Sequence, residues 1–204
     1  MKMKLQRLGL RYGTDKHRHR FNGVNYMHVY NRYFQPMREQ VLSVLELGVL
    51  DGGSLKVWRD YFPLAHIWGV DINPEAQRDH GERIHIMIGS QTDPAVLPAG
   101  PFQIVIDDGS HVVDHMIASF NLLWPRVTSG GLYIIEDLEN IYADISKSKN
   151  LWPGQSHNAV DTNYLNDAAK LNNLFAAKLK DLDQGKGDLL YLHRWHQQAI
   201  FCKA

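Results

Sequence analysis

Two acidic clusters carry most of the chemistry this sequence could perform. The first is Asp107-Asp108-Gly109-Ser110-His111 and the second is Glu136-Asp137. Each ends an apolar run, Phe102–Asp107 and Leu132–Glu136, of the kind expected for parallel strands covered on both faces. If the two strands are neighbours, their carboxyl ends open into one crevice and four carboxylates converge. Left unpaired, those groups would repel and some would take up protons. A hard divalent cation, Mg²⁺ or Mn²⁺, would relieve that repulsion, because oxygen-only ligands disfavour zinc. Two neighbouring hydroxyls of a small substrate could share such an ion. His111 follows Asp108 at the mouth of the crevice and is a candidate general base, since imidazole titrates near neutral pH. The plainer reading is a set of solvated strand ends, with Ser110 capping a helix over 111–124. His115, one turn on, reads as exposed.

A second constellation lies upstream. Ser43–Gly48 has a strand pattern and runs into Val49-Leu50-Asp51-Gly52-Gly53-Ser54. A helical face (Leu55, Trp58, Phe62) follows, and then a second apolar run, His66–Asp71. This is the opening of a doubly wound α/β sheet. Asp71 stands about 20 residues beyond the glycine turn, where a carboxylate grips ribose hydroxyls. A dinucleotide-binding turn would read G-x-G-x-x-G and aim a helix N-terminus at a pyrophosphate. Here Glu46 precedes Gly48 and Asp51 stands inside the turn. Two carboxylates suit a cationic ligand, with an NAD or nucleotide fold as the alternative.

The remaining elements would position these groups. Ile84–Ile88 is a third strand ending at Gly89-Ser90, and Val113, Ile117, Phe120 and Trp124 form a helical face. Gly130-Gly131 reads as a turn into the fifth strand. Residues 139–160 show no period and include Trp152-Pro153-Gly154, so they are a candidate lid. Tyr164, Ala168, Leu171, Phe175 and Leu179 step at helical spacing, and Asp188–Ala204 reads as an antiparallel hairpin around His193–His196. Residues 1–35, polar, aromatic and irregular, would cap the fold. We expect one domain over 1–204.

Charge and composition exclude some classes. The 22 basic and 22 acidic residues balance, so there is no bulk electrostatic case for nucleic acid or membrane binding. No apolar run reaches the ~20 residues a membrane span needs, and the N-terminus lacks a signal-peptide core. The one cysteine, Cys202, excludes an intramolecular disulfide and fits a reducing cytoplasm. Residues 1–20 are basic. An anionic acceptor, such as a nucleotide-linked or phosphorylated sugar, would meet Arg11, Arg18 and Arg20 there. A homo-oligomer is left open.

Gly13-Thr14-Asp15-Lys16, Tyr26-Met27-His28-Val29-Tyr30, the glycine turn, Asp107–His111 and Glu136-Asp137-Leu138 occur in this order. Over residues 11 to 138 this series resembles the metal-dependent sugar O-methyltransferases of macrolide and related antibiotic biosynthesis. That is the mycinamicin and demethylmacrocin methyltransferase type, with cephalosporin-hydroxylase-like relatives. The resemblance implies a Rossmann-like class I methyltransferase fold: a seven-stranded, mostly parallel sheet with a C-terminal antiparallel hairpin. It implies S-adenosylmethionine (SAM) and Mg²⁺ or Mn²⁺ as cofactors, and methyl transfer to a hydroxyl of a sugar or sugar-containing natural product. Alternatives are a catechol-type enzyme acting on an aromatic diol, or a non-catalytic SAM- or nucleotide-binding module. Under the resemblance Asp108, Glu136 and Asp137 are the metal ligands and His111 is the base. Thr14 and the turn from Glu46 through Gly48, Asp51, Gly52 and Ser54 take the methionine end of SAM. Asp71 takes the ribose, Ser90 and Gln91 take the adenine edge, and Asp107 also serves the cofactor side. The chain departs from that family in having only some forty residues before its first strand, where those enzymes carry a large extra domain. Its glycine turn is also shorter.

Overall fold

The computed structural model describes residues 4–18, 22–142 and 167–204. The elements are α1 (Lys4–Tyr12), α2 (Tyr26–Met37), β1 (Ser43–Leu47), α3 (Gly53–Tyr61), β2 (His66–Asp71), β3 (Ile84–Ile88), β4 (Phe102–Asp107), α4 (Val113–Leu123), β5 (Val127–Ile135), α5 (Ala168–Asp183), β6 (Leu189–Trp195) and β7 (Gln198–Lys203). The seven strands form one sheet in the order β3-β2-β1-β4-β5-β7-β6. The pairs among β1 to β5 are parallel, and β7 runs antiparallel to both β5 and β6. This is the seven-stranded class I methyltransferase sheet that the sequence leads one to expect.

Strand alternation divides the core. Val44, Ile67, Ile104, Ile106, Ile134 and Ile200 face α1, α2 and α3. Leu45, Leu47, Val105, Tyr133, Ile135 and Phe201 face α4 and α5. Because both faces are covered there, β4 and the Leu132–Ile135 part of β5 are mostly apolar and buried. The chain order reverses between β1 and β4, and the carboxyl ends of parallel strands open a crevice at such a point. Backbone bonds draw those ends together: Asp108 N donates to Leu47 O at 3.1 Å and Glu136 N to Asp107 O at 3.0 Å.

Several expectations are corrected. The described residues within 1–35 are largely helical rather than irregular. Tyr26, Met27, Val29, Tyr30 and Phe34 form a buried face that packs on the sheet, and its polar and aromatic interruptions mask the helical period. Asn25 caps α2, accepting from His28 N at 3.1 Å. β5 begins at Val127, and Gly130-Gly131 lies inside it as an irregularity where the register with β4 shifts. A side chain at Gly131 would crowd the Thr128 and Gln103 carbonyls. Ser110 does not cap α4, whose first residue is Val113. The hairpin turn is His196-Gln197, at the end of the expected span, and His193 to Trp195 belong to β6. Tyr164, Arg20 and residues 143–160 of the candidate lid lie outside the described residues, while 138–142 form a short 3-10 helix. Among the described residues no helix is long and apolar enough to cross a membrane.

Candidate active site at the carboxyl ends of the strands

Asp108, at the end of β4, and Asp137, just past β5, face His111 across the crevice. His111 Nε2 lies 3.9 Å from Asp108 Oδ1 and 3.7 Å from Asp137 Oδ2. One ligand atom from each of the three residues lies within 4.8 Å of the others, the spacing of a metal-binding group. His111 (φ 56°) and Asp137 (φ 52°) both adopt the left-handed backbone region that non-glycine residues avoid. Strain of this kind is retained where surrounding structure imposes it, and it clusters at functional sites.

The third expected metal ligand stands apart. Glu136 is buried, and its carboxylate accepts from Lys16 Nζ at 2.7 Å and from the Tyr30 hydroxyl. Lys16 is itself only 2% exposed and also contacts Asp108, and it lies 3.4 Å from Glu46 Oε1. One ammonium thus answers two of the carboxylates that repulsion alone would have assigned to a metal, Asp108 and Glu136, and Glu46 of the glycine turn besides. Burial raises the Glu136 and Glu46 pKa values to about 7, against the pull of Lys16. Asp108 is raised too, by burial first and by Asp137, with Lys16 opposing.

The sequence singled out Lys16, Tyr26 and Tyr30 within motifs but assigned them no role. Tyr26 donates to Asp137 Oδ1 at 2.6 Å, as Tyr30 does to Glu136. Their i, i+4 spacing, which puts both on one helix face, was the available signal. Lys16 offered no local signal, because its partners are 30 to 120 positions away. The turn holding it is tied down by Asn25, whose side-chain amide donates to Gln6 Oε1 at 2.9 Å and His17 O at 2.5 Å.

The glycine turn lies beside this cluster. Glu46 accepts from Ser54 Oγ at 2.8 Å and Trp58 Nε1 at 2.9 Å through one oxygen. Its other oxygen, Oε1, is buried with no hydrogen-bond donor among the described residues. Gly48 (φ 86°) could not carry a Cβ, which would strike the Asp108 carbonyl. Gly52 (φ 76°) would strike His80. Here the missing side chains admit protein as much as any ligand. Asp51 Oδ1 accepts from Gly53 N at 3.0 Å, and Thr14 packs against the start of α3. Asp71 accepts from Val49 N at 2.7 Å and Leu50 N at 3.0 Å, so it braces the turn. Exposed Leu50 and Ile72 flank it as an apolar rim.

Other predicted residues point inward. Asp107 is buried and accepts from Ser119 Oγ at 2.6 Å, Tyr133 Oη at 3.1 Å and Gln91 Nε2 at 3.2 Å. Burial raises its pKa. The Gln91 carbonyl accepts from Ser110 N at 2.8 Å, so this residue holds the Asp108–His111 loop. Ser90 bonds Thr92 at 2.9 Å. His115, expected to be exposed, is half-buried beside Ser110. Arg11 and Arg18 are exposed.

No protein-family profile matches the chain. The 8-demethyl-8-alpha-L-rhamnosyl tetracenomycin-C 2'-O-methyltransferase of Streptomyces olivaceus is 39% identical over 148 residues, 66% of this chain and 38% of that protein. The demethylmacrocin O-methyltransferase of Streptomyces fradiae is 39% identical over 137 residues, 61% of this chain and 32% of that one. Among solved structures, the MycE methyltransferase of the mycinamycin pathway, in complex with Mg and SAH, matches with a TM-score of 0.74 at 32% identity. That match covers 100% of this chain and 55% of MycE. The chain therefore spans about half of MycE and less than two fifths of these curated relatives. In sequence and in fold, over the part that carries the crevice, it resembles the sugar O-methyltransferases of macrolide and tetracenomycin biosynthesis.

Proposed function

We propose that this chain transfers a methyl group from SAM to a sugar hydroxyl of a glycosylated natural product, with Mg²⁺ as cofactor. The observation that carries this reading is the Asp108–His111–Asp137 group set against the Glu46–Gly48 turn, with Lys16 touching both. The relatives act, by their names, on sugars borne by larger molecules.

The residues present suit both cofactors. Glu46, whose Oε1 makes no hydrogen bond and has Lys16 Nζ at 3.4 Å, is a buried carboxylate that suits a cationic ligand at the turn, and the Leu50–Ile72 rim suits a nucleoside face. Asp108 and Asp137 offer hard oxygen donors for Mg²⁺, and Glu136 supports them from behind through Lys16. When bound, SAM supplies an electrophilic methyl group on a cationic sulfur, and Mg²⁺ supplies charge that acidifies nearby hydroxyls. His111 Nε2 takes the proton from the acceptor oxygen. Asp108 and Asp137 flank that nitrogen at 3.9 and 3.7 Å. The rest of the catalysis is positioning within a partly enclosed crevice. We assign the reaction to the cytoplasm, where a thiol such as Cys202 stays reduced.

The test is calorimetric titration of SAM, then Mg²⁺, into EDTA-treated wild type and Asp108→Ala. We expect SAM binding in both and a Mg²⁺ site in wild type alone. A Mg²⁺ site that survives Asp108→Ala overturns the metal assignment, and absence of SAM binding overturns the methyltransferase reading. A panel of glycosides and catechols then separates sugar from aromatic diol acceptors. His111→Ala should lower kcat by roughly 10²–10⁴; a change below tenfold removes it as the base.

A further inference from the structure

Among the described residues Lys16 is the one buried lysine. Its ammonium meets carboxylates at the ends of three strands: Oδ2 of Asp108, Oε2 of Glu136 at 2.7 Å and Oε1 of Glu46 at 3.4 Å. These partners are not equivalent. The Glu136 and Glu46 side chains are 1% and 0% exposed, while that of Asp108 is 23% exposed. Glu136 is also held by the Tyr30 hydroxyl, and Glu46 by Ser54 and Trp58. Of the three, Asp108 is the one that faces His111, whose Nε2 lies 3.9 Å from its Oδ1. Lys16 therefore grips Asp108 through one oxygen from the buried side, and the other oxygen is turned to the crevice.

A carboxylate shared in this way has part of its charge already answered. An Mg²⁺ ion that draws on Asp108 competes with the ammonium for it, and two cations at one carboxylate repel each other. Lys16 is tethered to the chain, so its competition is present at every metal concentration. A buried charge left without a partner is costly. Lys16 escapes that cost when Asp108 turns to a metal, because Glu136 and Glu46 remain within its reach.

We propose that Lys16 is a built-in competitor of Mg²⁺ for Asp108. Metal entry shifts the ammonium toward Glu136 and Glu46, and this exchange keeps the metal affinity below what the carboxylates alone would give. The inference rests on the metal assignment above. Lys16 is then a positioning residue that acts on the metal through Asp108.

Calorimetric titration of Mg²⁺ into EDTA-treated wild type and Lys16→Gln tests this. We expect Lys16→Gln to bind Mg²⁺ about tenfold tighter than wild type, although the variant is less stable without metal. A lysine that merely held the fold would give the opposite sign, weaker metal binding together with lower stability. Wild type supplies a second readout that needs no variant to fold. In protein carrying isotopically labelled lysine, side-chain NMR distinguishes the buried ammonium by its slow proton exchange. Mg²⁺ should move that resonance and leave those of exposed lysines in place. Mg²⁺ binding that is unchanged or weakened in folded Lys16→Gln overturns the competition and leaves the metal assignment standing. A buried-lysine resonance that Mg²⁺ does not move, while Mg²⁺ binds, does the same. No Mg²⁺ binding by wild type overturns the metal assignment itself.

Discussion

At the scale of single residues, Lys16 sets the electrostatics of the crevice. It is 2% exposed and reaches Asp108, Glu136 and Glu46, which come from three different strands. Removing one partner of a buried ionic network leaves the others uncompensated. Lys16→Met should therefore cost about 3–5 kcal/mol of stability, measured by urea unfolding. A loss below 1 kcal/mol would mean that water or protons already neutralise the carboxylates. Glu46 and Glu136 add a pH dependence. Their folded pKa values of about 7 exceed the ordinary carboxylate value of 4.5. The folded state thus binds more protons between those limits, and the stability this contributes is lost as pH rises through 7. The metal- and ligand-free protein should be more stable at pH 5 than at pH 7.5, by about 2 kcal/mol for each of these two groups. Denaturation midpoints that rise with pH across that window would contradict the assignment.

At the scale of elements, the ends of β1, β4 and β5 hold the site through backbone contact. Gly48 sits at φ 86° with the Asp108 carbonyl where a Cβ would go. Gly48→Ala should cost about 1–3 kcal/mol and displace Asp108. Mg²⁺ affinity should fall together with stability. A stable Gly48→Ala protein with unchanged Mg²⁺ affinity would show that the β1 and β4 ends are not coupled. The left-handed residues His111 and Asp137 tell the same story. Each lies in the loop that follows a strand, β4 for His111 and β5 for Asp137.

At the scale of the molecule, one sheet separates two apolar layers. Trp58 is buried in the layer of α1 to α3, and Trp124 in the layer of α4 and α5. The strands contribute alternate side chains to both layers, so neither layer can lose its packing alone. We predict one cooperative unfolding transition. Single-tryptophan variants retaining Trp58 or Trp124 should report the same denaturant midpoint, and separated midpoints would divide the chain into two units.

The sequence by itself determined the strand-and-helix alternation from β1 onward and the acidic crevice, while the seven-stranded sheet followed from the family resemblance and α1 and α2 were not legible. The alternation and the crevice depend on local period and on residues at strand ends, which neighbours in the chain reveal. Asp107, Asp108, Glu136 and Asp137 were legible for that reason. Only the tertiary structure decided how they divide. Asp107 turns inward to Ser119 and Tyr133, Glu136 pairs with Lys16 and Tyr30, and Asp108 and Asp137 remain facing His111. Two neighbouring carboxylates in the chain look alike until strand alternation sends one to each side of the sheet. Lys16 and Tyr26 reach their partners across 92 and 111 positions, a separation over which no local pattern carries information.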